Sequence, residues 1–403
     1  MIPAMHDAIL SYLQPRRREA LDLLQRLVEI QSGSRNKPGL DRMAVNVAEV
    51  LGGILPEVRI LPFTDHGDMV QAMTSPAARG EKGIVLVGHM DTVFPADTSF
   101  TAFREDEERC FGPGVYDMKG GLVVAIYALK ALSHLGLLEE IPVTVLCNSD
   151  EEIGSPASRP WIEEQANGAL ATLVFEGGGA NHDVVTGRKG RLGMSLTVRG
   201  RAGHAAKGGA KASAILELAH KILALEGLND GREITLNVGQ VEGGIGPNTV
   251  PELATAALDA RFLTPQGQRR LEQSLARIAA EDRVSGTSTT LTIQSGRPAM
   301  PQSEGNRRLW SIAGEQARAF GYDLPEELRS GVSDANFIAG LGVPVLDGLG
   351  PVGDLDHSDL EFILKDSLTT RSALTAASIA AIWNRSEERR VGKECRSRWS
   401  PYH

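Results

Sequence analysis

Three runs of consecutive apolar residues punctuate the first half of the chain, "GIVLVGHMDTV", "IPVTVLCNSDEEIGS" and "GALATLVFEGGG", and each ends in histidine or acid. A short unbroken apolar run bounded by turn residues predicts a strand buried on both faces. Between the first two lies "MKGGLVVAIYALKALSHLG", an amphipathic helix with a glycine stop; the shorter "SRPWIEEQA" precedes the third. Ahead of them Leu21, Leu23, Leu24, Leu27, Val28 and Ile30 keep a helical rhythm that "LDRMAVNVAEVLGGIL" repeats, so two helices precede the first strong strand. Strands alternating with helices predict an α/β fold, a mostly parallel sheet covered by helices.

From about Arg188 the texture changes. "RLGMSLTVRG", "REITLNVGQVEGG", "PELATAALDARFL" and "STTLTIQSG" alternate apolar with polar positions, whereas "ASAILELAHKILALEG" and "QRRLEQSLARIAAE" are helical. The order β-α-β-β-α-β is that of a ferredoxin-like α+β unit whose sheet has one face in water. The helix "RRLWSIAGEQARAFG", the strand-like "VPVLDGLGP" and a terminal helix then resume the first texture. The expected organisation is a first domain in two parts, 1–187 and 298–385, with a second domain inserted at 188–297. Residues 386–403, "SEERRVGKECRSRWSPYH", carry five Lys/Arg against three Glu and break the helical pattern, so they are expected to form an unstructured tail. They resemble translated cloning or adapter DNA.

Composition narrows the classes without naming one. The chain has 403 residues, 42% of them hydrophobic, with 44 glycines, which fits a globular protein of two domains. A net charge of −9 with no basic stripe argues against nucleic acid as a partner. No run reaches membrane-spanning length, and the N-terminus has its charges after a short amphipathic stretch, the reverse of a signal peptide. Three cysteines without paired spacing point to a reducing compartment, so a cytoplasmic location is expected.

Ligands of open α/β sheets sit beyond the carboxyl ends of strands. There the chain places His89 and Asp91, then Asp150, Glu151 and Glu152, then Glu176. Asp117 lies among the glycines of "GPGVYDMKGG", and His357 in the polar turn "GDLDHSDLEF". Each residue alone has an ordinary explanation as a cap, a turn or a surface group. Together, two histidines and three carboxylates without cysteine suit Zn²⁺, or Co²⁺ or Mn²⁺, and one carboxylate can bridge two ions about 3.5–4 Å apart.

The ordered set "GHMDTV", "GPGVYDMKGG", "DEEIGS", "FEGGG", "GHAA" and "DHSD" resembles the zinc aminoacylase and glutamate carboxypeptidase family, which includes acetylornithine deacetylase and succinyl-diaminopimelate desuccinylase. The resemblance extends to about Trp383. It implies two Zn²⁺ per subunit: His89 and Glu176 on one, Glu152 and His357 on the other, Asp117 bridging, with a cis peptide to Met118. It further implies that Asp91 fixes the ring of His89, that Glu151 is the general base and that His204 stabilises the oxyanion, often in a partner subunit. Asn248, Arg261, Arg297, Gly331 and Ser333 match substrate positions, Arg297 being the one associated with a C-terminal glutamate. The implied activity is a two-metal hydrolase that releases a C-terminal, glutamate-like residue from a peptide or N-acyl compound. The implied assembly is a homodimer through the inserted lid/dimerisation domain. Two alternatives stand beside it: an N-acyl-amino-acid deacylase, and a metal-free binding homologue.

Overall fold

The computed structural model describes residues 2–397, and these divide into two units. The first comprises Met1–Thr186, Gln302–Leu328 and Ser333–His403; the second comprises Gly187–Pro301 and the short segment Arg329–Val332.

The first unit is built on a six-stranded sheet in the order Glu57–Leu61, Met69–Met73, Val143–Asn148, Ile84–His89, Ala171–Val174, Val345–Leu346. The last four pair in parallel; Met69–Met73 alone runs against them, antiparallel to both of its neighbours, so Glu57–Leu61 shares their direction and the sheet is mostly parallel as the apolar runs imply. Ile84–His89 is buried at every position, as a strand covered on both faces must be. Neither Glu57–Leu61 nor Met69–Met73 is apparent in the sequence: "EVRIL" is an edge strand with no fully buried residue, so it lacks the apolar run that marks the others.

Helix Lys119–His134 is buried along almost its whole length and packs between the sheet and the C-terminal helix. Close packing at its first turn depends on Gly121, where a Cβ would lie 2.0 Å from the Phe175 carbonyl oxygen. The N-terminal helical region starts earlier than its rhythm suggests, as Ile2–Leu13, with the Gln14–Arg16 turn around Pro15 separating it from Arg17–Val28. The C-terminal helix spans Lys365–Ser397, so its backbone passes Arg385, where the composition suggests a break; Glu and Arg in "SEERR" are good helix formers. Residues 398–403 of the expected tail lie outside those described.

The second unit has the ferredoxin-like topology. Its four-stranded antiparallel sheet runs Ile234–Gly243, Leu253–Phe262, Gly190–Arg199, Ser288–Arg297, which is 2-3-1-4 in chain order. Helices Ala214–Glu226 and Pro265–Ala280 complete β-α-β-β-α-β. Leu253–Phe262 alternates between buried and more exposed positions, the pattern of a sheet covered on one face.

Candidate metal centre

The strand ends of the first unit bring five distant side chains together. His89 closes Ile84–His89, Glu176 follows Ala171–Val174, and Glu152 lies in the turn Glu151–Ile153 after Val143–Asn148. Asp117 comes from the loop before helix Lys119–His134, and its peptide bond to Met118 is cis. His357 sits at φ +61°, a left-handed conformation uncommon outside glycine.

Two ligand groups share one carboxylate. His89, Asp117 and Glu176 form the first and Asp117, Glu152 and His357 the second, with the potential ligand atoms of each group lying within 4.8 Å of one another. Asp117 Oδ1 is 3.0 Å from His89 Nε2, while its other oxygen, Oδ2, is 3.2 Å from His357 Nε2. Glu176 Oε1 approaches the same His89 nitrogen at 3.8 Å, and Glu152 Oε2 the same His357 nitrogen at 3.5 Å. Each Asp117 oxygen thus faces its own imidazole.

The electrostatics of this cluster call for cations. Burial and the Asp117 charge push Glu152 up to about 7, and burial with the Asp117 charge likewise raises Glu176. Burial opposes charge on His89, yet hydrogen bonds to Asp117, Asp91 and Glu176 outweigh it and raise the ring well above its ordinary value. Hydrogen bonds to Asp117 and Glu152 push His357 up to about 11. Glu152 Oε1 is buried without a hydrogen-bond partner, an expensive arrangement that a metal ion would relieve. A donor set of imidazole and carboxylate fits Zn²⁺ or a related ion.

Asp91 is fully buried and does more than the expected orientation of His89. The ring Nδ1 lies 3.0 Å from the Asp91 backbone carbonyl and 3.4 Å from its carboxylate, so the nearer acceptor is the main chain. The Asp91 carboxylate instead accepts the backbone N–H groups of Glu151 and Glu152, each at 3.1 Å, and the Ser34 hydroxyl at 2.8 Å. It therefore fixes the turn from which Glu151 and Glu152 project. Asp150 serves the scaffold, accepting the Ala157 and Ser158 N–H groups at the start of the next helix.

The remaining candidates are distributed between the units. In the second, His204 and Asn248 are exposed and meet on a small ribbon, where His204 pairs with Thr249 and the Ala205 N–H donates to the Asn248 carbonyl. Arg261 and Arg297 lie on the two strands flanking Arg191 and are both paired directly with it, so the three arginines align across one face of the sheet, with Arg297 buried. Asp259 takes a hydrogen bond from Arg191 at 2.5 Å and one from Arg261 at 2.9 Å. Arg261 also reaches the Ser330 carbonyl, and Arg188 the Gly331 carbonyl, which holds Gly331 beside the row. Ser333 is fully buried in the first unit, where its hydroxyl donates to Asp347 at 2.8 Å.

Arg191 and Glu361 escape a reading of the sequence. Arg191 emerges only when strand register places it between Arg261 and Arg297. Glu361 is fully buried four residues after His357, and the only signal is one acid at the start of the apolar "FIL".

Comparison with known proteins supplies the context. The sequence model of peptidase family M20/M25/M40 matches residues 85–381, well over half the chain. Carboxypeptidase G2 of Pseudomonas sp. (strain RS-16) is 29% identical over 370 residues, covering 88% of this chain and 87% of the relative. Acetylornithine deacetylase of Myxococcus xanthus is also 29% identical, over 225 residues, 52% of this chain and 57% of that one. Among solved structures, aminopeptidase PepT from Bacillus cereus shares the fold with a TM-score of 0.74 at 20% identity, covering 91% of this chain and 98% of that one.

Proposed function

Since the chain belongs to peptidase family M20/M25/M40, we propose that it is a two-metal hydrolase releasing a C-terminal, glutamate-like amino acid from a peptide or N-acyl compound. The observation that carries this reading is the shared carboxylate: Asp117 offers one oxygen to each of two ligand groups. His89, Asp117 and Glu176 would hold one Zn²⁺, and Asp117, Glu152 and His357 the other, with Co²⁺ or Mn²⁺ as substitutes.

The chemistry that such a pair supplies when bound is Lewis acidity toward water and toward a scissile carbonyl. Glu151 acts as general base. It takes a proton from the attacking water, whose oxygen adds to the carbonyl carbon; as the C–N bond breaks, Glu151 returns the proton to the departing amine. Asp91 keeps Glu151 in place through the turn's backbone N–H groups. His204 is the proposed oxyanion donor, supplied to a partner subunit.

Selectivity for a dicarboxylic product is supported by the row of Arg191, Arg261 and Arg297, since guanidinium forks suit carboxylates. Asn248 and Gly331 complete the proposed substrate contacts. For the acyl side, a cavity of about 360 Å³ is lined by Arg35, Phe94, Pro95, Glu152 and Ile153. It is of ligand size.

The deacylase alternative keeps the same centre and is favoured by the Myxococcus xanthus relative. A homodimer formed through the second unit is supported by large apolar side chains left exposed there, Ile215, Leu216 and Leu223 on one helix and Ile245 beyond a strand. A cytoplasmic location is supported by buried, free Cys110 and Cys147, and no helix among the described residues is long and apolar enough to cross a membrane. The test is a screen of Zn²⁺- or Co²⁺-loaded protein against glutamate-terminated dipeptides, N-acyl glutamates, N-acetylornithine and succinyl-diaminopimelate. Fastest turnover of the glutamate compounds is expected; preference for N-acetylornithine would establish the deacylase, and no hydrolysis of any member would refute the reading.

A further inference from the structure

Glu361 is fully buried, and its carboxyl group accepts three backbone N–H groups of one loop. Oε1 accepts the backbone N–H groups of Tyr116 at 2.7 Å and Asp117 at 2.8 Å; Oε2 accepts that of Gly114 at 3.0 Å. All three bonds go to the segment that presents the shared carboxylate. Glu361 also stands four residues after His357. The strand that follows it, Phe362–Leu364, pairs with Arg109–Phe111, which runs directly into the Asp117 loop.

Two ligands of one group thus hang on the two ends of a single clasp. The His357 turn is closed at its base by the pairing of Gly353–Asp354 with Phe362–Ile363 and within by Ser358, which bonds the Leu355 carbonyl; the His357 side chain is 54% exposed, and Leu355 and His357 both adopt positive φ. Conformations of this kind persist where surrounding structure imposes them. We propose that Glu361 is a positioning residue for the metal centre, one that registers the His357 turn against the Asp117 loop and so governs chiefly the ion held by Asp117, Glu152 and His357. This rests on the two-metal reading above. The first group has His89 and Glu176 on separate strand ends of the central sheet, so it loses only the orientation of Asp117 when the clasp is removed.

The test is a Co²⁺ titration of metal-free protein, followed by visible absorption, for wild type, Glu361→Ala and Glu361→Gln. Glutamine keeps the volume but turns an NH₂ group toward a backbone N–H, setting donor against donor. The wild type is expected to bind two equivalents. Both variants should bind one equivalent normally and the other roughly 10–100-fold more weakly, the range for loss of a group that orients a ligand. Turnover should fall at limiting Co²⁺ and recover in excess, which global damage to the fold would not allow. If Glu361→Ala does not fold, the glutamine variant carries the test. Two normal equivalents in a variant, or parallel weakening of both with a lower melting temperature of the metal-free protein, would overturn the role of Glu361. Failure of the wild type to bind Co²⁺ would instead overturn the metal reading itself.

Discussion

Glu151 and Glu152 are neighbours with different surroundings. Glu152 shares a ligand group with Asp117 and His357, while Asp91 grips the backbone N–H of both glutamates and sets the direction of the turn. Glu151→Gln should therefore retain two metal ions and lose turnover by about 10²–10⁴-fold, the usual contribution of general acid–base catalysis; parallel metal analysis and single-turnover kinetics check this, and near-normal turnover in a metal-loaded variant would remove Glu151 from the mechanism. At this scale His89, Glu152 and Glu176 were legible because each stands where an apolar run stops, whereas Asp117 among glycines and His357 in a polar turn gained meaning only as members of the set. Glu361 was not legible, since its partners are backbone N–H groups almost 250 positions earlier, and a main-chain donor leaves no mark in a sequence. The bond from the Ser333 hydroxyl to Asp347 is hidden for a similar reason, since its two partners lie 14 positions apart with no pattern linking them.

Helix Lys119–His134 connects the site to the core. Its N-terminal end follows Asp117, and its first turn rests on the strand end that carries Glu176 through the contact of Gly121 with the Phe175 carbonyl. Backbone cannot yield as a flexible side chain does, so Gly121→Ala should destabilise the protein by about 1–3 kcal/mol and separate Glu176 from its neighbours. Chemical denaturation and zinc affinity measured together test this, and unchanged values of both would contradict the packing argument. The fully buried strands and this helix were legible from continuous or periodic apolar residues. Glu57–Leu61 and the two- and three-residue strands around Asp117 and His357 were not: they are short or exposed, and their existence depends on a partner far away in the chain.

Across the whole molecule, the change from continuous to alternating apolar pattern near Arg188 coincides with the start of a unit that has its own core and ferredoxin-like sheet. What the pattern could not reveal is that Arg329–Val332, remote in sequence, belongs with that second unit; the segment has no periodicity and is held there by Arg188 and Arg261. The arginine row is likewise a product of register across three strands. Arg191→Ala should lower kcat/KM for an N-acyl glutamate by about 10-fold or more, in line with loss of a charged hydrogen bond, and leave the N-acyl alanine nearly unaffected. An equal loss on both substrates would detach Arg191 from selectivity.

The most direct test of the central claim is anomalous diffraction at the zinc absorption edge from crystals of the zinc-loaded protein. Two peaks about 3.5–4 Å apart, with Asp117 between them, His89 and Glu176 on one and Glu152 and His357 on the other, are the expected result. A lone peak, or zinc bound away from these five side chains, would contradict it.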